Sequence, residues 1–211
     1  MRMRKLKWAA DFLEQQKVIV KEPNQYQGKW KELLNCEELH VEIGSGKGDY
    51  WIGMSKLYPD FGWLGIEKNE NAAALALRKV EHEEHINRRF IVADAADIGE
   101  WFAKGEVDVI HLNFSDPWPK KRASKKRLSH AGFLSKYQTI LSEAGKIIMK
   151  TDNVKLFEFS VLEFQNNGWM LEEFSVDFRK EEHPEDVITE YESKFMAKGQ
   201  PIYRAVWVLR K

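Results

Sequence analysis

The sequence predicts an α/β fold in which a mostly parallel sheet carries helices on both faces. Short apolar runs recur along the chain, and stretches with the helical spacing of apolar residues separate them. The length of 211 residues, with 43% hydrophobic content, suits one sizeable core and is short for two domains. Strands are predicted near 39–43, 61–66, 89–93, 107–113, 145–151, 169–176 and 202–209, and helices near 9–16, 47–57, 69–84, 97–102, 130–141 and 154–166.

The N-terminal part differs in character from the rest. Arg2, Arg4, Lys5 and Lys7 crowd the first residues, and a helix is predicted around 9–16. We expect residues 1–211 to form a single domain, with 1–35 as a basic N-terminal arm and helical extension.

The first predicted strand runs into a glycine-rich turn, 44–48, followed by a helix. Glycines there let backbone N–H groups approach a ligand at the start of the helix. A triphosphate loop is excluded because Gly48 follows Lys47 where Ser or Thr is needed, and a dinucleotide loop is excluded because its third glycine comes one residue early. A turn without a ligand is the alternative interpretation.

The pattern that remains is E-x-G-x-G-x-G, with Glu42 inside the strand. A carboxylate at this place would repel a pyrophosphate and attract a cation or an ammonium group. S-adenosylmethionine carries both a sulfonium and an ammonium, so Glu42 suits it better than it suits a phosphate-bearing cofactor.

Acids follow the next two predicted strands. Glu67 ends the second, about 20 residues past the glycine loop, where an acid can hold the hydroxyls of a ribose. Asp94 ends the third and is followed by Ala95 and Ala96, small residues that would let an adenine ring approach. Taken alone, each of these acidic residues would more typically be an exposed surface residue or a helix cap. Together with Glu42 and with Asp116, which follows the fourth predicted strand, these acids favour one shared binding site.

The fourth predicted strand leads into N-F-S-D-P-W-P-K-K-R-A-S-K-K-R at 113–127. Pro117 and Pro119 predict an extended turn that fixes Asp116 and Trp118 at the carboxyl edge of the sheet. The basic residues behind them suit a polyanionic substrate, and a solvated loop is the alternative. Trp118 suits either base stacking or a wall of the site. The cations of this strip are Lys120, Lys121, Arg122, Lys125, Lys126 and Arg127.

The fifth predicted strand, 145–151, ends beside Asp152, which therefore joins the same edge as Asp116. The segment between the last two strands, 178–200, contains Pro184 and many acids. Taken by itself, it predicts an exposed loop that leads into a short helix.

Six motifs now stand in order between residues 41 and 192: VEIGSGKG, GIE, VADAAD, NFSDPWPKKR, KTDN and TEYE. In this combination the chain resembles the bacterial tRNA (guanine-N7-)-methyltransferase family. The resemblance implies a Rossmann-like class I methyltransferase fold, whose mostly parallel seven-stranded sheet has one late antiparallel strand. It also implies methyl transfer from S-adenosylmethionine to N7 of guanosine 46 in the tRNA variable loop.

The resemblance also implies roles for individual residues. Glu42, Glu67, Asp94 and Asp116 match cofactor-contacting acids, and Asp116 matches the proposed catalytic residue. Gly44, Gly46 and Ala95 complete the predicted cofactor site. The substrate-contacting positions match Lys120, Asp152, Thr189, Glu190, Tyr191 and Glu192, and the RNA-contacting strip includes Arg122, Lys125, Lys126 and Arg127.

Two other functions remain open. S-D-P-W loosely resembles the [DNS]-P-P-[YFW] loop of exocyclic-amine methyltransferases, although Pro119 falls after the aromatic residue. A non-catalytic RNA-binding protein on the same fold is the alternative from another class, since the basic strip alone could bind phosphates. The presence of Glu42, Glu67 and Asp94 argues against it.

Global properties bound the remaining expectations. The formal net charge is zero, so RNA binding would rest on local basic patches. The single Cys36 excludes an internal disulfide, and no apolar run predicts a membrane span or signal peptide. His82 and His85 suit an exposed helix better than a metal site. We expect a cytoplasmic protein without a metal, either monomer or homodimer, that binds tRNA and needs no partner subunit.

Overall fold

A computed structural model describes residues 5–84 and 86–210. Arg2, Arg4 and His85 therefore lie outside the described residues. The strands are β1 Leu39–Ile43, β2 Gly62–Ile66, β3 Arg88–Ile91, β4 Val107–Asn113, β5 Leu141–Thr151, β6 Trp169–Ser175 and β7 Tyr203–Leu209. The helices are α1 Ala9–Glu14, α2 Trp30–Leu34, α3 Asp49–Leu57, α4 Glu70–Arg78, α5 Ala131–Ile140, α6 Val154–Asn166 and α7 Glu190–Met196.

The strands form one seven-stranded sheet in the order β3-β2-β1-β4-β5-β7-β6. The pairs from β3 to β5 are parallel, whereas β7 runs antiparallel to both β5 and β6. The order reverses between β1 and β4, so the carboxyl ends of these two strands flank the crevice in which open α/β sheets bind ligands. The predicted fold, mostly parallel with one late antiparallel strand, is confirmed.

The sheet separates two apolar clusters. Leu64 and Ile66 of β2 belong to a cluster with residues of α2, α5 and α6, whereas Trp63 belongs to one with residues of α1, α3 and α4. Because alternate side chains of a strand point to opposite faces, the clusters lie on opposite sides of the sheet. Helices therefore cover both faces, as predicted.

The N-terminal segment is attached to the β3 side of the sheet. Ile19 forms a parallel bridge with Phe90 of β3, and the Leu6 amide donates to Asn71 Oδ1 of α4 at 2.7 Å. Whether residues 1–35 act as an arm stays a prediction. None of the helices in 5–84 and 86–210 is long and apolar enough to cross a membrane.

Several predicted boundaries need correction. The helix predicted at 69–84 ends at Arg78, because Lys79 and Val80 donate to carbonyls three residues back and tighten the chain into a turn. The helix predicted at 97–102 is a 3₁₀ helix, Ala95–Glu100, which begins where Asp94 caps the amide of Ala96. The strand predicted at 145–151 begins earlier, at Leu141.

The turn after β4 also differs from expectation. Trp118 has a φ of +40° and is therefore left-handed rather than extended, even though it precedes a proline. Tertiary contacts oppose the local preference there, because the guanidinium of Arg127 donates to the carbonyl of Pro117 at 2.9 Å and to that of Trp118 at 3.2 Å.

Candidate functional site

A cavity of about 240 Å³ opens at the carboxyl ends of β1 and β4. Its base and loop side are formed by Glu42, Asn113 and the glycine loop. Residues of α3, α7 and the start of the β4 loop complete the wall: Asp49, Tyr50, Phe114, Thr189, Glu190, Tyr191 and Lys194.

Glu42 lies at the base of this cavity and is 2% exposed. Its Oε1 accepts a hydrogen bond from Nδ2 of Asn113 at 3.0 Å, whereas neither Glu42 Oε2 nor Asn113 Oδ1 has a donor within the described chain. Burial raises the pKa of Glu42 to about 7, against the opposing effects of the hydrogen bond from Asn113 and the positive charge of Lys150. Acceptors without donors fit a cationic ligand.

The glycine loop brings backbone close to the cavity. Gly44 and Gly46 have φ of +82° and +54°, and a Cβ atom on either would meet open space. Gly48 also has a positive φ, of +75°, and in addition lacks space, because a Cβ atom added there would lie 2.8 Å from that of Ala76 in α4. Positive φ at these positions strains any other residue.

Glu67 and Asp94 lie on neighbouring loops and not on the cavity wall. Glu67 accepts hydrogen bonds from the amides of Gly46 at 2.9 Å and Asn69 at 2.7 Å, so it ties the glycine loop to the start of α4. Asp94 caps the 3₁₀ helix through the Ala96 amide and lies 3.6 Å from Lys68 Nζ. Ala95 is buried beside it. Their ligand contacts stay predictions.

The run 189–192 begins α7 and contributes unequally to the wall. Thr189 and Glu192 form a capping box, in which the Thr189 hydroxyl accepts from the Glu192 amide at 3.0 Å. Glu192 is fully buried, and its carboxylate contacts Arg179 Nε at 2.6 Å and Lys150 Nζ at 3.3 Å. Glu190 and Tyr191 are exposed and reach the cavity.

Lys150 and Arg179 also pair with Asp186, so four charged groups fasten the excursion between β6 and β7 to the sheet. The Asp186 carboxylate further accepts from the Tyr50 hydroxyl at 3.5 Å. Tyr50 in turn contacts His111 Nδ1 at 3.2 Å, and burial lowers the pKa of His111 well below its usual value. This network holds α7 against the cavity.

Asp116 is exposed and does not line the cavity itself, but it follows Phe114 of the cavity wall by two residues, and we call this part of the site the cavity mouth. Asp152 is half-buried, and burial raises its pKa. Burial also raises the pKa of Tyr191, with further contributions from the negative charges of Asp152 and Asp116. The ring of Tyr191 packs 5.1 Å from that of Phe114. The negative charges of both acids therefore act on one aromatic side chain of the cavity wall.

The basic strip follows this mouth. Lys120, Arg122, Lys125 and Lys126 are exposed, and Lys121–Lys126 form a 3₁₀ helix. Lys126 Nζ lies 4.8 Å from the centre of the Trp118 ring, and Lys68 Nζ lies 5.9 Å from it. Arg127 differs from the others, because its guanidinium is turned inward to the carbonyls of Pro117 and Trp118 and packs on Phe159.

Sequence reasoning missed Asn113, Tyr50 and Lys194. Asn113 could have been found because a polar side chain at the end of an apolar strand needs a reason to be buried. Tyr50 and Lys194 carry no such signal, since both occupy ordinary helical positions.

The fold and the cavity place the chain among the class I methyltransferases. A family model described as "Putative methyltransferase" matches residues 36–205. Among solved structures, the 16S rRNA methyltransferase KamB aligns with a TM-score of 0.66 at 10% identity, over 87% of this chain and 94% of that one. At that identity the likeness shows the fold alone.

The closer likeness is to curated tRNA (guanine-N(7)-)-methyltransferases. The one from Oceanobacillus iheyensis is 44% identical over 97% of both chains, and the one from Bacillus licheniformis is likewise 44% identical over 97% of both. The chain belongs to this family. Class and family together indicate S-adenosylmethionine as the methyl donor, and the donor-less acceptors of Glu42 and Asn113 fit its cationic methionyl end.

Proposed function

We propose that this protein methylates N7 of guanosine 46 in the variable loop of tRNA. The observation that carries the proposal is the cavity at the carboxyl ends of β1 and β4: Glu42 and Tyr191 both line it, the negative charges of Asp116 and Asp152 act on Tyr191, and an exposed basic strip follows Asp116 in the chain. A cofactor cavity next to carboxylates and a phosphate-binding surface suits a cationic donor and a polyanionic acceptor. The relatives' names supply the tRNA and the guanine.

The cofactor side of the site comprises the glycine loop and the three acids below and beside it. We assign Glu42, Gly44 and Gly46 to the methionyl end, Glu67 to the ribose, and Asp94 with Ala95 to the adenine. In support, Glu42 offers an unpaired oxygen to the cavity, and Glu67 already joins the glycine loop through Gly46. S-adenosylmethionine supplies the activated methyl group on its sulfonium.

The residues at the mouth act on the guanine. Its N7 has an in-plane lone pair and no proton, so the reaction needs no strong general base, and positioning is the main requirement. Asp152, Thr189, Glu190 and Tyr191 hold the nucleotide, and Glu192 supports them from within the capping box. Tyr191 is the exposed member of this group with a ring beside Phe114.

Asp116 is the catalytic residue. Methylation leaves the purine cationic, so a carboxylate beside it stabilises the transition state more than the ground state. The same carboxylate can accept from N1–H and the amino group of guanine. Adenine presents an acceptor where guanine has that N1–H donor, so it would be rejected.

The tRNA backbone lies along the basic strip. Arg122, Lys125, Lys126 and Arg127 are the predicted RNA-binding cations, and all but Arg127 are exposed. Lys120, at the start of the strip, is exposed as well and is assigned to the target nucleotide. Lys5, Lys7 and Lys68 line a second cavity, of about 650 Å³, and Lys68 also lies near the ring of Trp118. The protein works in the cytoplasm on tRNA, as a monomer or homodimer without a metal or a partner subunit.

The proposal is tested by methyl transfer from labelled S-adenosylmethionine to an unmodified tRNA transcript. A matched transcript carries adenosine in place of guanosine 46. Label in the first only, with chain cleavage at that position after reduction and aniline treatment, is the expected result. Equal label in both would retain the methyltransferase and refute the target, and label in an exocyclic amine would refute the N7 chemistry.

A further inference from the structure

Two buried acceptor atoms belong to residues that line the same cavity. Glu42 Oε2 and Asn113 Oδ1 receive no hydrogen bond from any residue in the described part of the chain. The two residues are 2% and 7% exposed, and both line the cavity. Buried polar atoms in native proteins are nearly always paired. A ligand that carries N–H groups and binds in this cavity would supply donors to both atoms.

The two side chains form one unit. Glu42 lies in β1, Asn113 ends the adjacent β4, and Asn113 Nδ2 donates to Glu42 Oε1 at 3.0 Å. The carboxylate fixes the amide orientation, because an amide oxygen in that position would meet another acceptor. When Glu42 is ionised, the unit thus presents one negative charge and two acceptors without donors. A primary ammonium group, with three N–H donors and a positive charge, is the complementary ligand.

Cations stand at another part of the same wall. Lys47 and Lys194 both line the cavity, and Glu190 pairs with each of them. Acceptors at the base and lysines elsewhere on the wall match the two charges of an α-amino acid, with its ammonium at Glu42 and Asn113.

We propose that Asn113 is a cofactor-binding residue that forms, with Glu42, the receptor for the ammonium group of S-adenosylmethionine. The inference rests on the proposed function, since it assigns a residue to the cofactor of that reaction. Asn113 acts in two ways. Its amide oxygen accepts one N–H of the ligand, and its amide nitrogen holds the Glu42 carboxylate in place.

The test compares two ligands that differ only at the amino-acid end. S-adenosylhomocysteine has the ammonium, whereas 5′-methylthioadenosine keeps the nucleoside thioether and lacks it. Calorimetry on Asn113→Ala should show S-adenosylhomocysteine binding weakened about 10- to 100-fold, as expected for a lost hydrogen bond to a charged group. Affinity for 5′-methylthioadenosine should stay within about twofold, which also shows that the variant is folded.

Asn167→Ala is the matched control. The Asn167 amide donates to the carbonyl of Glu163 at 2.7 Å, just before β6 and away from the cavity. Both affinities should be unchanged in this variant. Asn113→Leu keeps the side-chain volume and provides a second measurement should Asn113→Ala fail to fold.

Equal weakening of both ligands, or no weakening of either, would overturn the role of Asn113. The failure is distinguishable from that of the proposed function, because methylation of tRNA by the unaltered protein is measured separately. If that activity is present and the ligand ratio does not change in Asn113→Ala, only the inference falls. If the unaltered protein does not bind S-adenosylhomocysteine, both fall.

Discussion

Asp116, the proposed catalytic residue, has no immediate contact that by itself marks a catalytic role. It is exposed and lies outside the cavity wall, yet its charge acts on Tyr191 across the mouth. Its role would come from the positive charge that develops on the purine during the reaction, so kinetic measurements are the appropriate test.

We expect Asp116→Asn to lower kcat about 10²- to 10³-fold, because the neutral amide cannot stabilise a cationic purine as a carboxylate does. Affinity for S-adenosylhomocysteine should change far less. Asp60→Asn, an exposed aspartate before β2 at the opposite edge of the sheet, is the control. Normal turnover by Asp116→Asn would show that the charge is not required.

A second prediction for a single residue concerns Glu42 and the dependence of cofactor binding on pH. Its pKa of about 7 in the free protein means that much of it is protonated at pH 6. A ligand with an ammonium group binds the ionised form of Glu42. Binding at pH 6 must therefore release a proton from Glu42, whereas at pH 7.5 most of the free protein has already lost that proton. Lys150 is the cation whose charge already opposes this protonation.

Affinity for S-adenosylhomocysteine should therefore weaken about tenfold from pH 7.5 to pH 6. Calorimetry in buffers of different ionisation enthalpy should detect about one proton released at the lower pH. Neither effect should appear with 5′-methylthioadenosine or in Glu42→Gln. A pH-independent affinity in the unaltered protein would contradict the assignment.

At the scale of elements, the loop after β4 depends on a residue ten positions further along the chain. Arg127 donates to the carbonyls of Pro117 and Trp118 and holds the left-handed Trp118 beside Asp116. It was predicted to bind RNA, but these contacts assign it first to the geometry of the loop.

Arg127→Lys should lower kcat about tenfold at saturating tRNA, because lysine keeps the charge and loses the fork of donors. Arg122→Lys, on the exposed part of the strip, should leave kcat unchanged. An effect of Arg127→Lys confined to the KM for tRNA would mean that Arg127 contacts RNA and does not position the loop.

Buried ion pairs, rather than a buried apolar helix face, attach helix α7 to the rest of the protein. Glu192 joins it to Lys150 and Arg179, and all three side chains are at most 4% exposed. Removal of one partner from such a group leaves a buried charge uncompensated.

Glu192→Gln should lower the free energy of unfolding by about 3–5 kcal/mol in urea titrations. Glu190→Gln, whose ion pairs with Lys47 and Lys194 are exposed, should change it by no more than about 0.5 kcal/mol. Similar values for the two variants would exclude a special role for the buried group.

For the whole molecule, a neutral net charge and RNA binding are compatible because the cations are segregated. Lys126→Ala should reduce the slope of log affinity against log salt by about one, as expected for one lost phosphate contact. Lys104→Ala, before β4 at the opposite edge, should not change the slope. Equal slopes in filter-binding titrations would remove Lys126 from the RNA surface.

Much of the fold could be predicted because buried strands are rich in apolar residues, as β1, β2 and β4 are, even where a charged or polar residue interrupts them. Short elements could not: α2 has five residues, too few for a helical period to be recognised. The wall formed by α7 was also beyond local reasoning, since it depends on ion pairs between Lys150 and Glu192, 42 residues apart. The motif acids of the site stood out, whereas the role of Asn113 depends on its contact with Glu42, 71 residues earlier in the chain.

The half-exposed Trp118 has an optical consequence. Trp30, Trp51, Trp63, Trp101, Trp169 and Trp207 are buried, whereas Trp8 and Trp118 are half-exposed, and Trp118 lies beside Lys68 and Lys126. Iodide, an anionic quencher, should be attracted by these lysines and should reach this indole more readily than the buried ones. RNA on the basic strip would shield it, so the loss of iodide quenching, referenced to Trp118→Phe, would report occupancy of the surface without a label.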